Sequence, residues 1–369
     1  MSAKWACVLL LFACLASCCG VRMVAQAPPA AAATETAVPI QFDVMVTDKA
    51  GNPIPGLKQE DFKLLDNRQP VTISSFADHE PGGGTPAAVL IVLDNLNADF
   101  EAVTTARLQI ESYLKRNGGK LANPTGLFVL SSGGLDELTP ISTDGNSLAD
   151  TLHQKMAETR MDRSSLGVAG AEERLNTSLQ AFSALGRYLN VDGRKVVVWL
   201  GPGWPVIDSS QADIGPVQQQ YFFSTVTDLS RMLRDEQITI HVVNLVGSVN
   251  SNMHMASGVG NIGQNSVQAG SGSELSWEGF TKPLTRQNKA EPGYVALQVF
   301  AQHSGGTVVM GSNDVAKEID RCARDATAWY SLTFDAQKAP APNTWHDVDV
   351  KIDKPQVKVR TENGYYTQP

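Results

Sequence analysis

Cysteine is scarce in the part of the chain that is expected to fold. The 369-residue sequence contains five cysteines, and Cys7, Cys14, Cys18 and Cys19 all belong to its apolar beginning. Only Cys322 remains, so a disulfide framework and a cysteine-based metal cluster are both excluded. Because Cys322 lies in the helical pattern VAKEIDRCARDATAWY, we expect a buried structural thiol rather than a nucleophile.

Basic blocks and long apolar runs are also absent. Lys and Arg total 30 against 38 Asp and Glu, which gives a net charge of -8, and no cluster of cations is present that could follow a phosphate backbone. Nucleic acid is therefore not an expected partner. The longest apolar stretch, residues 6–16, is too short to span a bilayer.

That stretch has the form of the apolar region of a signal peptide, which predicts export. Two processing sites remain open. Residues 15–18 (LASC) resemble a bacterial lipobox with Cys18 as the lipidated residue, whereas Ala25-Gln26-Ala27 has the A-x-A form of an ordinary cleavage site. We take residues 1–27 as the leader and the start of a linker. A lipid on Cys18 would be the only contact with a membrane, and the expected location is the periplasm or cell envelope.

Residues 28–37 continue as a linker, and a small β module follows over residues 38–80. Apolar residues alternate with polar ones from Val38, and turn sequences separate further short strands. Period-two alternation returns in the C-terminal segment, residues 331–369. We predict that this segment packs with the N-terminal module, so that the intervening domain is inserted into one β unit.

Residues 87–330 alternate between continuous apolar runs and helical patterns. The runs are AAVLIVL, LFVL, KVVVWL, ITIHVVNLV and GTVVMG. Strands that are buried on both faces lose the alternation of half-exposed strands. The pattern therefore predicts an α/β fold, a doubly wound and mainly parallel sheet. Within it, residues 247–293 are rich in Gly, Ser and Asn and are predicted to form a long flexible loop.

No catalytic motif accompanies this fold. GxSxG and HExxH are absent, and the six histidines are scattered along the sequence. The GxGxxG at residues 258–263 lacks the preceding strand and following helix of a dinucleotide site, and the isolated Met253-His254-Met255 is a weak metal motif. We therefore expect no enzymatic activity. The alternative that stays open is a hydrolase whose site assembles only in space.

The order of these segments resembles the von Willebrand factor A (VWA) superfamily, and within it the exported VWFA-related proteins of acidobacteria. The resemblance covers nearly the whole mature chain. It rests on FDVMVTDKAGNPIPGLKQEDFKLLDNRQPVTISSF, LIVLDNLNADFEAVTTARLQIESYL, GRKVVVWLGPGWPV, AQHSGGTVVMGSNDVAKEIDRCARDATAWYSLTFD and VDVKIDKPQVKVRTENGYY. It implies a VWA or Rossmann-like fold and a protein-binding role.

In that superfamily the first strand ends in D-x-S-x-S, which with a Thr and a second Asp holds Mg²⁺ at the carboxyl edge of the sheet. Asp94 occupies the first position here, but Leu96 and Ala98 replace the two serines and Gly201 stands where the second Asp is expected. Ser164 and Ser165 are the candidates for the Thr position. The resemblance thus implies a degenerate metal site, because Mg²⁺ requires several convergent hard oxygen ligands.

Two interpretations of Asp94 follow. In the simpler one, Asp94 and Asn97 cap the loop and the following helix, and no cofactor is bound. In the other, Asn95, Asn97 and Asp99 supply oxygens to a rearranged Mg²⁺ site that mediates adhesion. We expect the first, because capping needs fewer matching residues.

The predicted function is a non-enzymatic module that binds a protein partner through loops at the carboxyl edge. The candidate binding residues are Asp94, Asn95, Leu96, Asn97 and Trp204. Trp204, in GPGWPVI, is either an exposed aromatic anchor or a side chain packed on its own neighbours. A purely structural envelope component, whose sheet edges pair with other chains, is a further alternative.

Overall fold

A computed structural model describes residues 38–80, 83, 87–158, 167–188, 193–205, 214–245, 277–336 and 341–368. The strands are β1 (Val38–Thr47), β2 (Phe62–Asp66), β3 (Gln69–Val71), β4 (Ile73–His79), β5 (Ala87–Asp94), β6 (Lys120–Ser131), β7 (Gly134–Asp144), β8 (Arg194–Leu200), β9 (Ile238–Leu245), β10 (Val308–Ser312), β11 (Trp329–Ala336), β12 (Trp345–Ile352), β13 (Lys358–Arg360) and β14 (Gly364–Tyr366). The α-helices are α1 (Phe100–Leu114), α2 (Gly145–Glu158), α3 (Gly167–Tyr188), α4 (Pro216–Asp235), α5 (Leu297–His303) and α6 (Val315–Ala323). None of these helices is long and apolar enough to cross a membrane.

Six strands form the α/β sheet, in the order β10-β9-β8-β5-β6-β7. All neighbours are parallel except β6 and β7. The chain starts at the centre with β5, moves outward through β6 and β7, and then returns to the other side of β5 with β8, β9 and β10. This is the order of a doubly wound sheet, with its switch point between β5 and β8. The predicted α/β fold class is confirmed.

Helices cover both faces of this sheet, which explains the unbroken apolar runs. Every residue of β5 and β8 is buried. Along β5, Leu90 and Val92 pack with α3, α4 and α5, whereas Val89 and Ile91 pack with α1, α2 and α6. Since each face of the strand contacts a helix layer, both faces must be apolar.

Strand β7 has no counterpart among the predicted runs. It pairs with β6 alone, at the edge of the sheet, and most of its side chains are partly or fully exposed. Pro140 lies within it, and an edge strand tolerates proline because its backbone need not donate to a neighbour on both sides. Partial exposure and proline together remove the apolar signal on which the strand prediction depended.

The remaining strands form two four-stranded sheets, β13-β1-β11-β4 and β14-β12-β2-β3. Strand β1 pairs antiparallel with β11, and β2 pairs antiparallel with β12, so strands from both ends of the described chain are neighbours. The two sheets share one apolar core. Its larger members are Phe42, Phe62, Leu64, Tyr330, Leu332, Phe334, Val350 and Tyr365.

A buried ion pair connects β1 to the α/β sheet. The Arg194 guanidinium at the start of β8 donates to Asp43 of β1 and, at 2.9 Å, to Thr239 Oγ1 of β9. Both charged side chains are almost completely buried. A second cluster lies nearby, where Asp325 Oδ2 is 3.0 Å from His241 Nε2 and 2.7 Å from Arg360 Nη1. Charges at these depths are compatible with folding only because each has a partner.

Three sequence predictions need correction at the level of segments. Residues 277–293, predicted to belong to a flexible loop, contain the short 3-10 helices Trp277–Phe280 and Gln287–Lys289 and bury Phe280, Leu284 and Ala290. The last helix ends at Ala323, earlier than its pattern suggested, and β11 begins at Trp329 rather than at residue 331. His303, the last residue of α5, is buried, and burial lowers its pKa. Cys322 is buried and unpaired, as predicted.

Candidate functional site

Asp94 is the last residue of β5, at the carboxyl edge of the sheet and beside the switch point. Open α/β sheets bind their ligands in the crevice at this position. The end of β8 lies against it so closely that a Cβ on Gly201 would approach Asp94 Cβ to 2.7 Å. Only glycine fits at position 201, so the chain has no room for the second Asp that the VWA resemblance implies.

The Asp94 side chain closes the turn that follows β5. Its Oδ1 accepts hydrogen bonds from the backbone N–H of Leu96 at 3.2 Å and of Asn97 at 2.9 Å. An aspartate that bonds the backbone two residues ahead forms an Asx turn, and this accounts for the abrupt change from strand to loop. The predicted capping of the loop by Asp94 is therefore present.

The helix cap lies elsewhere. Asp99 is the residue before α1, and its Oδ1 accepts from Ala102 N at 2.8 Å. The prediction that Asp94 and Asn97 cap the helix is wrong, because the turn places Asp99 at the N-cap position. Asn97 instead donates its amide to both oxygens of Asp94, at 3.2 and 3.1 Å, and lies 3.0 Å from Ser178 Oγ of α3.

Trp199 completes the surroundings of the carboxylate. Its Nε1 donates to Asp94 Oδ2 at 3.1 Å from the neighbouring strand β8. The indole is fully buried, and so is Asp94. Trp199 is one of the site residues that sequence reasoning missed, since within KVVVWL it has the appearance of an ordinary core residue; Ser178 is another.

Burial and hydrogen bonding act on Asp94 in opposite directions. Removal from water raises the pKa of its carboxyl to about 6, while the N–H groups of Trp199, Asn97 and Leu96 favour the charged form and limit the rise. The nearby Arg174 is also buried, and burial lowers the pKa of its guanidinium although the charges of Glu173 and Asp94 oppose this.

The residues around Asp94 do not fit Mg²⁺. The hydrogen bonds to both carboxylate oxygens come from N–H donors, whereas a cation needs oxygen lone pairs directed at it. Leu96, Ala98 and Gly201 bring no side-chain oxygen, and the buried Trp204 Nε1, another donor, has no hydrogen-bond partner among the described residues. Among the described residues no group of three or more His, Cys, Asp or Glu could hold a metal. Ser164 and Ser165 lie outside the described part of the chain.

Trp204 is not an exposed anchor. It is 3% exposed, and its ring centroid lies 5.1 Å from that of Phe182 and 5.9 Å from that of Trp199. It packs against aromatic side chains from α3 and β8. The other candidate binding residues, Asn95, Leu96 and Asn97, are likewise buried.

Different side chains are exposed at this edge. Phe100, the first residue of α1, is 63% exposed, and Val217 and Tyr221 in the first two turns of α4 are 79% and 49% exposed. Helices that follow parallel strands begin at the carboxyl edge of the sheet. The sequence pattern did not distinguish these three exposed residues from the apolar residues that face the core.

The structure brings one His, one Ser and one Asp within hydrogen-bond reach. His79 Nε2 lies 3.0 Å from Ser331 Oγ, which donates to Asp43 Oδ1 at 2.7 Å. In a Ser-His-Asp triad the histidine lies between the other two and removes the serine proton. Here the serine lies in the middle. Its hydroxyl group donates to Asp43, and His79 Nε2 therefore donates to Ser331 Oγ. This order does not match that of a serine hydrolase.

Several sequence motifs fall outside the described residues. These are the lipidation candidate Cys18, the GxGxxG at 258–263 and the Met253-His254-Met255 motif.

No protein-family model and no curated protein matches the chain. Among solved structures, the manganese-loaded TRAP protein of Plasmodium vivax is similar over 81% of this chain and 97% of its own, with 9% identity and a TM-score of 0.33. The VWA domain of SpRpn10 is similar over 64% of this chain and 94% of its own, with 10% identity and a TM-score of 0.26. The α/β architecture itself follows from the strand order and the two helix layers described above.

Proposed function

We propose that this protein is an exported, non-enzymatic VWA-like module that binds a protein partner through the carboxyl edge of its six-stranded sheet, without a metal ion. The observation that carries the proposal is the contrast at the switch point. The Asp94 carboxylate is turned inward and held by N–H donors, while Phe100, six residues later, is largely exposed on the helix that begins there.

A partner can contact only the groups that this edge exposes. The lone pairs of a buried, hydrogen-bonded carboxylate are not available to a metal ion. Recognition of a partner through a shared cation is therefore disfavoured. A large aromatic side chain at a helix start presents apolar area that is favourable to bury in an interface. Val217 and Tyr221 add apolar area at the start of α4, which also begins at this edge.

A photo-crosslinking experiment tests the binding edge. A photoreactive phenylalanine analogue would replace Phe100 in the full chain, expressed in its native envelope. The matched control is the same analogue at Leu108, which is 52% exposed on the same helix α1 but two turns further from the edge. We expect an adduct with a defined protein at position 100 and not at 108. Equal adducts at both positions, or none at position 100, would contradict the proposal.

Further parts of the proposal concern export and domain organisation. We infer that the leader is processed at Cys18 and that the mature chain is lipid-anchored, because the lipobox directly follows the apolar stretch. Mass spectrometry of the mature N-terminus would distinguish a lipidated Cys18 from cleavage after Ala27. We also infer that the α/β domain is an insertion in one β unit, since β1 and β2 pair with β11 and β12.

A further inference from the structure

A pocket of about 160 Å³ lies at the opposite end of the α/β sheet from Asp94. Gly193 and Arg194 at the start of β8 and Gln237 just before β9 form one wall. The pocket thus lies at the edge of the sheet where these parallel strands begin. The pocket is therefore separate from the proposed partner edge.

The floor of the pocket is the polar face of the sheet that contains β1, β11 and β4. Strand alternation directs Phe42 and Val44 into the apolar core and Gln41 and Asp43 to the other face. Gln41, Thr333 and Ser75 occupy matching positions on the three strands and form one polar row. The next rows contain Ser331 beside Ala77, and Trp329 beside His79.

The buried charged and aromatic side chains of the pocket already have partners within the protein. Arg194 is neutralised by Asp43, and its Nε donates to Asp325 O at 3.1 Å. The Trp329 ring stacks on His79, with centroids 4.5 Å apart, and the Arg194 guanidinium lies 5.6 Å from its centroid. Because the cation is compensated, these side chains offer no net positive charge to an anionic ligand.

The more exposed side chains of the pocket differ from these buried ones. Within the described residues, the side chains of Gln41, Ser75, Thr333 and Gln237 make no hydrogen bond to the protein. They provide two hydroxyls and two amides, groups that each donate and accept hydrogen bonds. A ligand that satisfies them must itself carry several neutral groups that both donate and accept.

We propose that this pocket binds one small, neutral polyhydroxylated molecule of the size of a single sugar ring. Hydroxyl groups on such a molecule match the mixed donors and acceptors of the row Gln41-Thr333-Ser75 and of Gln237. The volume corresponds to only a few water molecules, at roughly 30 Å³ each, so a longer oligomer would extend beyond the pocket. Binding by a few hydrogen bonds in an open, hydrated pocket is expected to be weak, with a millimolar dissociation constant.

The test is ligand-observed NMR with the full chain and three neutral probes: D-glucose, D-galactose and myo-inositol. Acetate serves as the anionic comparison. Two variants remove pocket groups at nearly constant volume, Gln41→Leu and Thr333→Val, and Gln69→Leu on the exposed strand β3 is the matched control. Thermal melts establish that each variant is folded.

We expect saturable binding of at least one neutral probe, weakened about five- to tenfold in each pocket variant and unchanged in Gln69→Leu. The proposal is overturned if none of the three probes binds saturably, if the folded pocket variants bind as tightly as the wild type, or if acetate binds more tightly than the neutral probes. Because Phe100 lies at the other edge, these results are independent of the crosslinking experiment.

Discussion

The buried carboxylate of Asp94 should make the stability of the protein depend on pH in an unusual direction. Burial raises its pKa from 3.8 to about 6 in the folded chain. Between these two values the folded protein holds a proton that the unfolded chain has released, so stability falls as pH rises through this window. A difference of about two pKa units at ~1.4 kcal/mol each gives a penalty of about 3 kcal/mol above pH 6.

Asp94→Asn isolates this contribution. The variant has no titrating group at position 94, while the other buried ionisable groups remain. Subtracting its stability from that of the wild type at each pH therefore leaves mainly the contribution of Asp94. The amide introduced by this substitution would also direct its own N–H₂ towards the N–H groups of Trp199 or Asn97, so a pH-independent loss is expected in addition.

Urea unfolding of the full-length wild type and variant, measured at closely spaced pH values across the window, checks the prediction. We expect the advantage of the wild type over Asp94→Asn to shrink by about 3 kcal/mol as pH rises from well below 3.8 to well above 6. Asp136→Asn, on the edge strand β7, controls for the loss of one negative charge. Parallel pH profiles for wild type and Asp94→Asn would refute the reasoning, since they would mean that Asp94 does not change its pKa on folding.

Three other predictions concern the Asp94 site and the buried pair of Arg194 and Asp43. Trp199→Phe removes a hydrogen bond to the Asp94 carboxylate and should lower the free energy of unfolding by about 2 kcal/mol at neutral pH and by less under acidic conditions, as urea denaturation would show. Arg194→Met leaves Asp43 buried without its counter-charge and should cost about 3–5 kcal/mol, part of which the double variant with Asp43→Asn should recover; no recovery would contradict the pairing argument. Calorimetric titration with Mg²⁺ or Mn²⁺ should give no saturable binding at Asp94, and micromolar binding that Asp94→Ala abolishes would contradict the site assignment.

The strands and helices that carry the fold were largely predictable, because their signal is local. In β5 and β8, continuous apolar runs indicated burial on both faces, and each lies between two helix layers. Strand β7 was missed for the opposite reason, since it is a half-exposed edge strand with a proline. Residues 277–293 were missed because Gly- and polar-rich composition does not reveal that Phe280 packs with Ala296 and Val299 or that Leu284 joins the core on one face of the sheet.

The position of the candidate site in the fold was predictable, but the side chains that surround Asp94 were not. The place of Asp94 at the end of an apolar strand located the carboxyl edge, and its short-range bonds to Leu96 and Asn97 are typical of an aspartate in a turn. Its bond to Trp199, 105 residues away, depends on the parallel pairing of β5 with β8. The burial of Trp204 similarly depends on Phe182 and Phe300, which come from separate helices.

By itself, the sequence determined most of the segments that become strands and helices, that the central sheet is mainly parallel and covered on both faces, and that Leu96 and Ala98 stand where a D-x-S-x-S motif has its serines. These properties follow from side-chain polarity, its periodicity and residue identity, all of which are present in the linear chain. Only the tertiary structure decided that Asp94 faces inward, that Phe100 rather than Trp204 is exposed at the carboxyl edge, and that Gln41, Thr333 and Ser75 form one polar row. Those outcomes depend on strand register and helix packing, which bring together residues separated by tens to hundreds of positions.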